Sequence, residues 1–290
     1  MSVSAPAPAK VNLYLHVCGK RADGYHLLDS LVVFTAIGDR VAAAAAPDIS
    51  LRIDGPFAEG LSAGDDNLVL RAARYLARKS GALPRGAALA LTKNLPVASG
   101  IGGGSSDAAA TLRACATLWG VNTDDLAPAD LAAALGADVP VCLARRPARM
   151  EGIGERLSAA PSLPTVWLVL VNPRQPLSTA PVFKALGGRH SGPAPAMPAR
   201  FETAQQLAAF LTICTNDLAA PAAELMPDIV AMRRELVQTQ GCLLTRLSGS
   251  GPTCFGLYAD ESGARAAATQ IAAKHPAWWA VPTALLRGQA

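Results

Sequence analysis

Pro96-Val-Ala-Ser-Gly-Ile-Gly-Gly-Gly-Ser-Ser106, followed by Asp107 and an alanine-rich run to Trp119, is the stretch on which the fold reading turns. Gly100, Gly102, Gly103 and Gly104 allow positive φ and let a ligand come close to the backbone. Ala87–Thr92 upstream reads as a short strand, and a helix is expected from about Ser105 to Trp119, closed by Gly120. A glycine-rich turn that opens a helix presents free N–H groups and the positive end of the helix dipole, which suits a phosphate chain. Ser105 and Ser106 add hydroxyl donors. The same residues also suit a serine-capped turn with no ligand.

Two common phosphate loops do not fit. Walker A requires glycine-lysine followed by serine or threonine, a triplet found nowhere in the chain. The dinucleotide fingerprint counted from Gly100 needs glycine or alanine where Ser105 stands.

Outward from the loop, Val11, Leu13, Leu15 and Val17 alternate with Lys10, Asn12, Tyr14 and His16, predicting a strand with one apolar and one polar face. Leu31–Phe34 and Arg40–Ala46 read as further strands. Asp66–Ser80 reads as an amphipathic helix capped by Asp66 or Asn67 and ended by Gly81. The core-like pattern breaks over Arg149–Ala160, and Thr165–Asn172 starts a new strand. Gly187–Arg200, rich in glycine, proline and alanine, reads as a mobile loop. The expected class is α+β in two domains, 1–160 and 161–290.

Hydrophobic residues make up 51% of the 290 and charged residues 17%, the balance of a globular chain rather than a disordered one. Aromatics are only 5% and the net charge of +4 is not gathered into a block, which argues against nucleic acid as a partner. Val166–Val171 is too short to span a bilayer, and MSVSAPAPAK lacks the apolar core of a secretory signal. The six cysteines include no CxxC pair, so no disulfide framework or zinc site is expected and a cytoplasmic setting is the simplest.

Three segments, in order, resemble the signatures of the galactokinase–homoserine kinase–mevalonate kinase–phosphomevalonate kinase (GHMP) family: Pro8-Ala-Lys-Val-Asn-Leu-Tyr-Leu15, the loop Pro96–Ser106, and Leu247-Ser-Gly-Ser-Gly-Pro-Thr-Cys-Phe255. The resemblance implies a two-domain kinase fold with its sites in a cleft between the domains. It also implies ATP as co-substrate, Mg²⁺ arriving with the nucleotide, and a small-molecule alcohol as acceptor. Gly19-Lys-Arg-Ala-Asp-Gly-Tyr-His26, Leu135-Gly-Ala-Asp-Val-Pro-Val-Cys142, Ser178-Thr-Ala-Pro-Val-Phe183 and Asn216-Asp-Leu218 are similar to the branch whose substrate is a cytidine diphosphate sugar-alcohol.

By that resemblance Asp138 accepts the hydroxyl proton and Lys10 stabilises the charge; alone, Asp138 reads as a helix N-cap and Lys10 as a surface lysine. Pro96, Val97, Ala98, Ser99, Gly100, Ile101, Gly102, Gly103, Gly104, Ser105 and Ser106 form the phosphate loop, with Asn67 and Lys93 near the nucleotide. Asn12, Tyr25, His26, Thr179 and Phe183 are the substrate residues, with Phe183 stacking on cytosine and His26 reading its edge. His16 reads as structural. Ser106 and Asp107 are the candidates considered for the metal. Oligomeric state is not legible.

Overall fold

The structure is a computed structural model that describes residues 2–81 and 86–286. Its first two strands, β1 (Ser2–Lys20) and β2 (His26–Ala45), pair with each other and are far longer than the apolar runs that reveal them. The chain divides into two compact units, and not at one point. One unit comprises residues 1–9, 37–97 and 102–145; the other comprises 10–36, 98–101 and 146–290. The sequence reading placed a single boundary near 160. The difference arises because β1, β2 and the glycine-rich loop each contribute residues to both units.

In the first unit, β3 (Ile49–Asp54) runs parallel to β4 (Ala87–Thr92), and β4 runs antiparallel to the second half of β2, with Arg40 opposite Thr92 and Ala45 opposite Ala87. Helix α1 (Leu68–Lys79) turns Val69, Leu70, Ala72, Ala73, Tyr75 and Leu76 inward, the stripe its 3.6-residue spacing predicts. Helix α2 (Gly103–Trp119) is buried on most of its surface through Ala108, Ala109, Ala110, Ala114 and Ala116. Such small side chains let α1 and the sheet approach the α2 backbone closely. Two short helices complete the unit, α3 (Pro128–Leu135) and α4 (Val139–Ala144), each with proline in its first turn, where a missing N–H costs nothing.

In the second unit, the first half of β2 pairs with β5 (Ala148–Gly152), which forms a hairpin with β6 (Arg156–Ala159). This hairpin occupies the stretch where the apolar pattern breaks. β6 is short and largely exposed, so it carries no core periodicity to read. A separate antiparallel sheet has the order β10-β7-β9-β8, with β7 (Trp167–Asn172), β8 (Leu244–Leu247), β9 (Cys254–Tyr258) and β10 (Trp279–Ala284). Pro282 lies in β10, the edge strand, where its missing donor is tolerated.

Among the described residues, the helices of this unit are α5 (Thr179–Ala185), α6 (Ala204–Thr212), α7 (Ala219–Leu225), α8 (Asp228–Val237) and α9 (Glu261–Lys274). Ile229, Met232 and Leu236 from α8 join Ala264, Ala267, Ala268 and Ile271 from α9 and the strand residues Val169, Val171 and Leu247 in one core. The residues 187–200 form neither helix nor strand, but hydrogen bonds, among them those described below, fasten them to the body of this unit.

Candidate active site

Ala98, Gly100 and Gly102 all have positive φ (48°, 74° and 63°), so the glycine-rich loop is a succession of left-handed turns ending at the first residue of α2. Gly102 occupies the N-cap position, where no side chain caps the helix among the described residues. Its first-turn N–H groups therefore carry the helix's partial positive charge, and no residue of that turn is acidic. Gly104 is exposed, and a Cβ there would meet only Leu68 Cδ1, at 3.5 Å. The protein leaves the space in front of this residue open.

Gly100 is required for a different reason. A Cβ would fall 2.5 Å from Ser248 O and 2.6 Å from Gly251 N, so the third signature lies directly against the loop backbone. Ser248 Oγ donates to Gly100 O at 2.9 Å, Thr253 N to Ser99 O at 3.1 Å, and Lys10 N to Ile101 O at 2.9 Å. The first and third signatures thus hold residues 99–101 by backbone geometry. Ser106 Oγ donates to Pro8 O at 2.6 Å, which ties the start of α2 to β1.

Behind the loop lies a charged cluster. Lys93 Nζ donates to Asp39 Oδ2 and, at 2.7 Å, to Asp107 Oδ2, and all three side chains are buried. Asp39 Oδ1 also accepts the N–H groups of Asn94 and Leu95, at 2.5 and 2.8 Å, clamping the backbone that enters the loop. Two carboxylates face one ammonium, so a negative charge is in excess. Burial pushes Asp107 up to about 7, Asp39 adds to the rise, and Lys93 pulls against it. Lys93, expected near the nucleotide, is committed to this cluster; a Cβ on Gly103 would lie 3.1 Å from its Nζ.

Asn67 caps α1 as expected. Its Oδ1 accepts from Val69 N at 2.9 Å and its Nδ2 donates to Ser62 O at 2.7 Å, so both ends of the amide are in local use. Asp138 stands at the N-cap of α4 but makes no capping hydrogen bond there, unlike Asn67, Thr203 and Asp260 on their helices.

The polar face of β1 is buried rather than half-exposed. Lys10 is 3% accessible and Asn12 fully enclosed. Ser30 Oγ spends its only hydrogen on Tyr14 O, at 2.5 Å, so it can only accept from Asn12, whose Nδ2 lies 2.8 Å away. That fixes the amide orientation, and Asn12 Oδ1 is left buried with no partner among the described residues. An orphaned acceptor of this kind is costly unless a ligand donor meets it.

His26 opens β2, and its ring stacks on Phe183 of α5 with centroids 4.7 Å apart and an interplanar angle of 28°. Burial, then the positive field of Lys20 and His190, lowers the His26 pKa and favours the neutral ring. Tyr25, next to it, is exposed. Thr179 Oγ1 lies 2.8 Å from Ser250 Oγ, linking the start of α5 to the third signature. The sequence reading missed Asp39 and Ser30. Neither stands in a motif, and each acts through strand pairing that a one-dimensional pattern does not record.

The family of GHMP kinases N terminal domains matches residues 67–146, and that of GHMP kinases C terminal domains matches 188–277. The chain belongs to the GHMP kinase family. Within it, the chain is similar to proteins named 4-diphosphocytidyl-2-C-methyl-D-erythritol kinase. One from Paramagnetospirillum magneticum is 54% identical over 285 residues, 98% of this chain and 99% of that one. Another, from Cereibacter sphaeroides strain ATCC 17029, is 55% identical over 282 residues, 97% of this chain and 98% of that one. A crystal structure of 4-(cytidine 5'-diphospho)-2C-methyl-D-erythritol kinase matches with a TM-score of 0.79 and 34% identity, over 99% of this chain and 100% of that chain. Homoserine kinase from Cytophaga hutchinsonii, at 17% identity and a TM-score of 0.69, shares the fold.

Proposed function

We propose that this chain transfers the γ-phosphoryl group of ATP to the 2-hydroxyl of 4-diphosphocytidyl-2-C-methyl-D-erythritol, giving the 2-phosphate and ADP in the non-mevalonate route to isoprenoids. The near-full-length likeness to relatives named for that substrate carries the reading. The open start of α2, the orphaned Asn12 Oδ1 and the His26–Phe183 pair support it from the side of chemistry.

Phosphoryl transfer asks a protein mainly for alignment and charge stabilisation. The uncapped N–H groups of Gly103, Gly104 and Ser105 receive the phosphate chain. Asp138 takes the proton of the attacking hydroxyl, and Lys10 stabilises negative charge on the transferring oxygens. Asn12 shares the strand face of Lys10 and, through its unused Oδ1, orients either the sugar-alcohol or Lys10 itself. Phe183 supplies a stacking face for cytosine, Tyr25 lies beside that pocket, and the neutral His26 offers one donor and one acceptor to the base edge. Thr179 lines the same substrate site.

A Mg²⁺ ion arriving with ATP would supply charge neutralisation for the phosphates. Lys93 holds Asp107 Oδ2, while Asp107 Oδ1 is buried with no hydrogen-bond partner among the described residues and keeps an acceptor that would suit the ion. Ser106 Oγ keeps lone pairs beyond its bond to Pro8 O. Among the described residues no group of three or more histidines, cysteines or acids is placed to hold a metal, and no helix is long and apolar enough to cross a membrane. A cytoplasmic setting fits the cysteine spacing, which includes no CxxC pair.

The uridine analogue of the substrate tests the base pocket. Uracil replaces the exocyclic amino donor of cytosine with an acceptor, and a mispaired buried edge costs about 1–3 kcal/mol. Wild type is expected to show kcat/KM about tenfold to a hundredfold lower for the uridine form. His26→Ala should narrow that gap, and Phe183→Ala should weaken both substrates alike. A ratio unchanged in His26→Ala would remove the side chain from base reading.

A further inference from the structure

Phe183 sits on a seven-residue helix, too short to hold its own orientation in water, and of its residues only Val182 is fully buried. Val182 and Leu186 set α5 into the core and Phe183 packs against that core, so what remains to be fixed is the ring's exact placement, which depends on what ties down the chain on either side of α5. On the N-terminal side, Leu177 N donates to Ala98 O at 3.1 Å and Thr179 meets Ser250. On the C-terminal side the chain enters the glycine- and proline-rich stretch that sequence alone reads as mobile.

That stretch is held by side chains from β1, from β2 and from the turn at Asp217. Ser191 N donates to Val17 O at 3.2 Å, and Ser191 Oγ donates to Asp217 Oδ2 at 2.7 Å. Thr215 N donates to His16 Nε2 at 2.9 Å, so the ring hydrogen is on Nδ1 and is given to Gly192 O, 3.1 Å away. Gly192 has φ of 75°, a left-handed turn that aims this carbonyl at the imidazole. Ala194 N donates to Asp29 Oδ2 at 2.8 Å.

Asp29 is the hub. Arg149 Nε and Nη2 grip it at 2.9 and 2.7 Å, and Tyr14 Oη donates to it at 2.9 Å. One buried carboxylate thereby joins β1, β2, β5 and the segment after α5. Burial works to raise this carboxyl, but the bonds from Arg149, Ala194 and Tyr14 outweigh it and hold Asp29 below the usual range. Asp29 stands three residues beyond His26 on the same strand, so the strand that carries one ring of the stacked pair also anchors the chain that carries the other.

We propose that Asp29 and His16 are positioning residues for base recognition: they fasten residues 191–194 to β1 and β2 and so fix Phe183 against His26. The proposal rests on the reading of His26 and Phe183 as the cytosine pocket. A stacking partner selects only when its geometry is held, so loosening the strap should harm substrate KM and base selectivity while sparing phosphoryl transfer.

The decisive variant is Ala194→Pro. It deletes the one N–H that Asp29 accepts from the strap and leaves the Arg149 and Tyr14 bonds in place. Ala194 precedes Pro195, which already biases it toward the extended backbone that proline adopts. Ala194→Ser keeps the N–H and serves as the matched control, and Asp29→Asn is the second probe. The full-length enzyme is assayed for kcat and KM with the cytidine and uridine substrates and for KM of ATP.

Ala194→Pro and Asp29→Asn are expected to raise KM for the cytidine substrate about tenfold and to lower the cytidine-to-uridine ratio, with KM for ATP and kcat near wild type. Ala194→Ser should match wild type. If Phe183→Ala weakens the cytidine substrate but Ala194→Pro and Asp29→Asn do not, the strap has no positioning role and the proposal is overturned. If Phe183→Ala itself changes nothing, the base-pocket reading fails and takes the proposal with it. Equal loss of kcat and ATP affinity in Ala194→Pro would mark general damage to the fold and would also overturn it.

Discussion

Asp138→Asn is expected to lower kcat by about 10²–10⁴-fold while the protein folds normally and binds both substrates. Asparagine keeps the shape of the side chain and caps helices about as well as aspartate, so a structural role would survive the change. What asparagine cannot do is take a proton from the attacking hydroxyl. The absence of a capping bond from Asp138 in the structure makes the two accounts separable. Steady-state kinetics with MgATP, together with the melting temperature, provides the check. A variant with wild-type kcat would remove Asp138 from the chemistry.

The second large effect is on stability. Lys93→Met should cost about 3–5 kcal/mol, because it leaves Asp39 and Asp107 buried without their cation. The cluster also predicts a pH dependence. In the unfolded chain Asp107 titrates near 3.8, and in the native state near 7. Between those values the native state holds a proton that the unfolded state has released, so this contribution to stability is present below about pH 4 and fades as pH rises toward 7. Asp107→Asn removes that titration and keeps a hydrogen-bond acceptor for Lys93. Urea melts of wild type and Asp107→Asn between pH 5 and 8 should therefore show a decline in the wild type that the variant lacks. Parallel curves would contradict the assignment.

The parts legible in the sequence were those written in local pattern. Helix α1 and its Asn67 cap, strand β4, and the glycine-rich turn running into α2 follow from periodicity and glycine placement; the structure has them there, with α2 starting at Gly103 rather than about Ser105. The apolar alternation of Val11–Val17 marked β1 but misjudged its other face. Lys10, Asn12, Tyr14 and His16 are polar and buried, a combination possible only because Ser30, Asp29, Gly192 and Thr215, distant in sequence, supply partners for the last three. The hydrogen bonds that hold the segment 187–200 were illegible for the same reason. Glycine and proline announce the absence of helix and strand, but whether such a stretch moves depends on tertiary hydrogen bonds that composition does not encode.

The same limit applies to the candidate site. Motif residues were legible because the family signatures carry them, whereas the groups that hold them were not. Asp39 reaches Lys93 and the loop entrance from 54 residues away in sequence, and Arg149 reaches Asp29 from 120.

One measurement bears most directly on the function: ADP release with MgATP and each of three candidate acceptors, 4-diphosphocytidyl-2-C-methyl-D-erythritol, mevalonate and homoserine. The cytidine substrate alone should drive turnover, and its product should carry the new phosphate on the 2-hydroxyl. Equal or faster ADP release with mevalonate or homoserine, or phosphate at another position, would contradict the assignment.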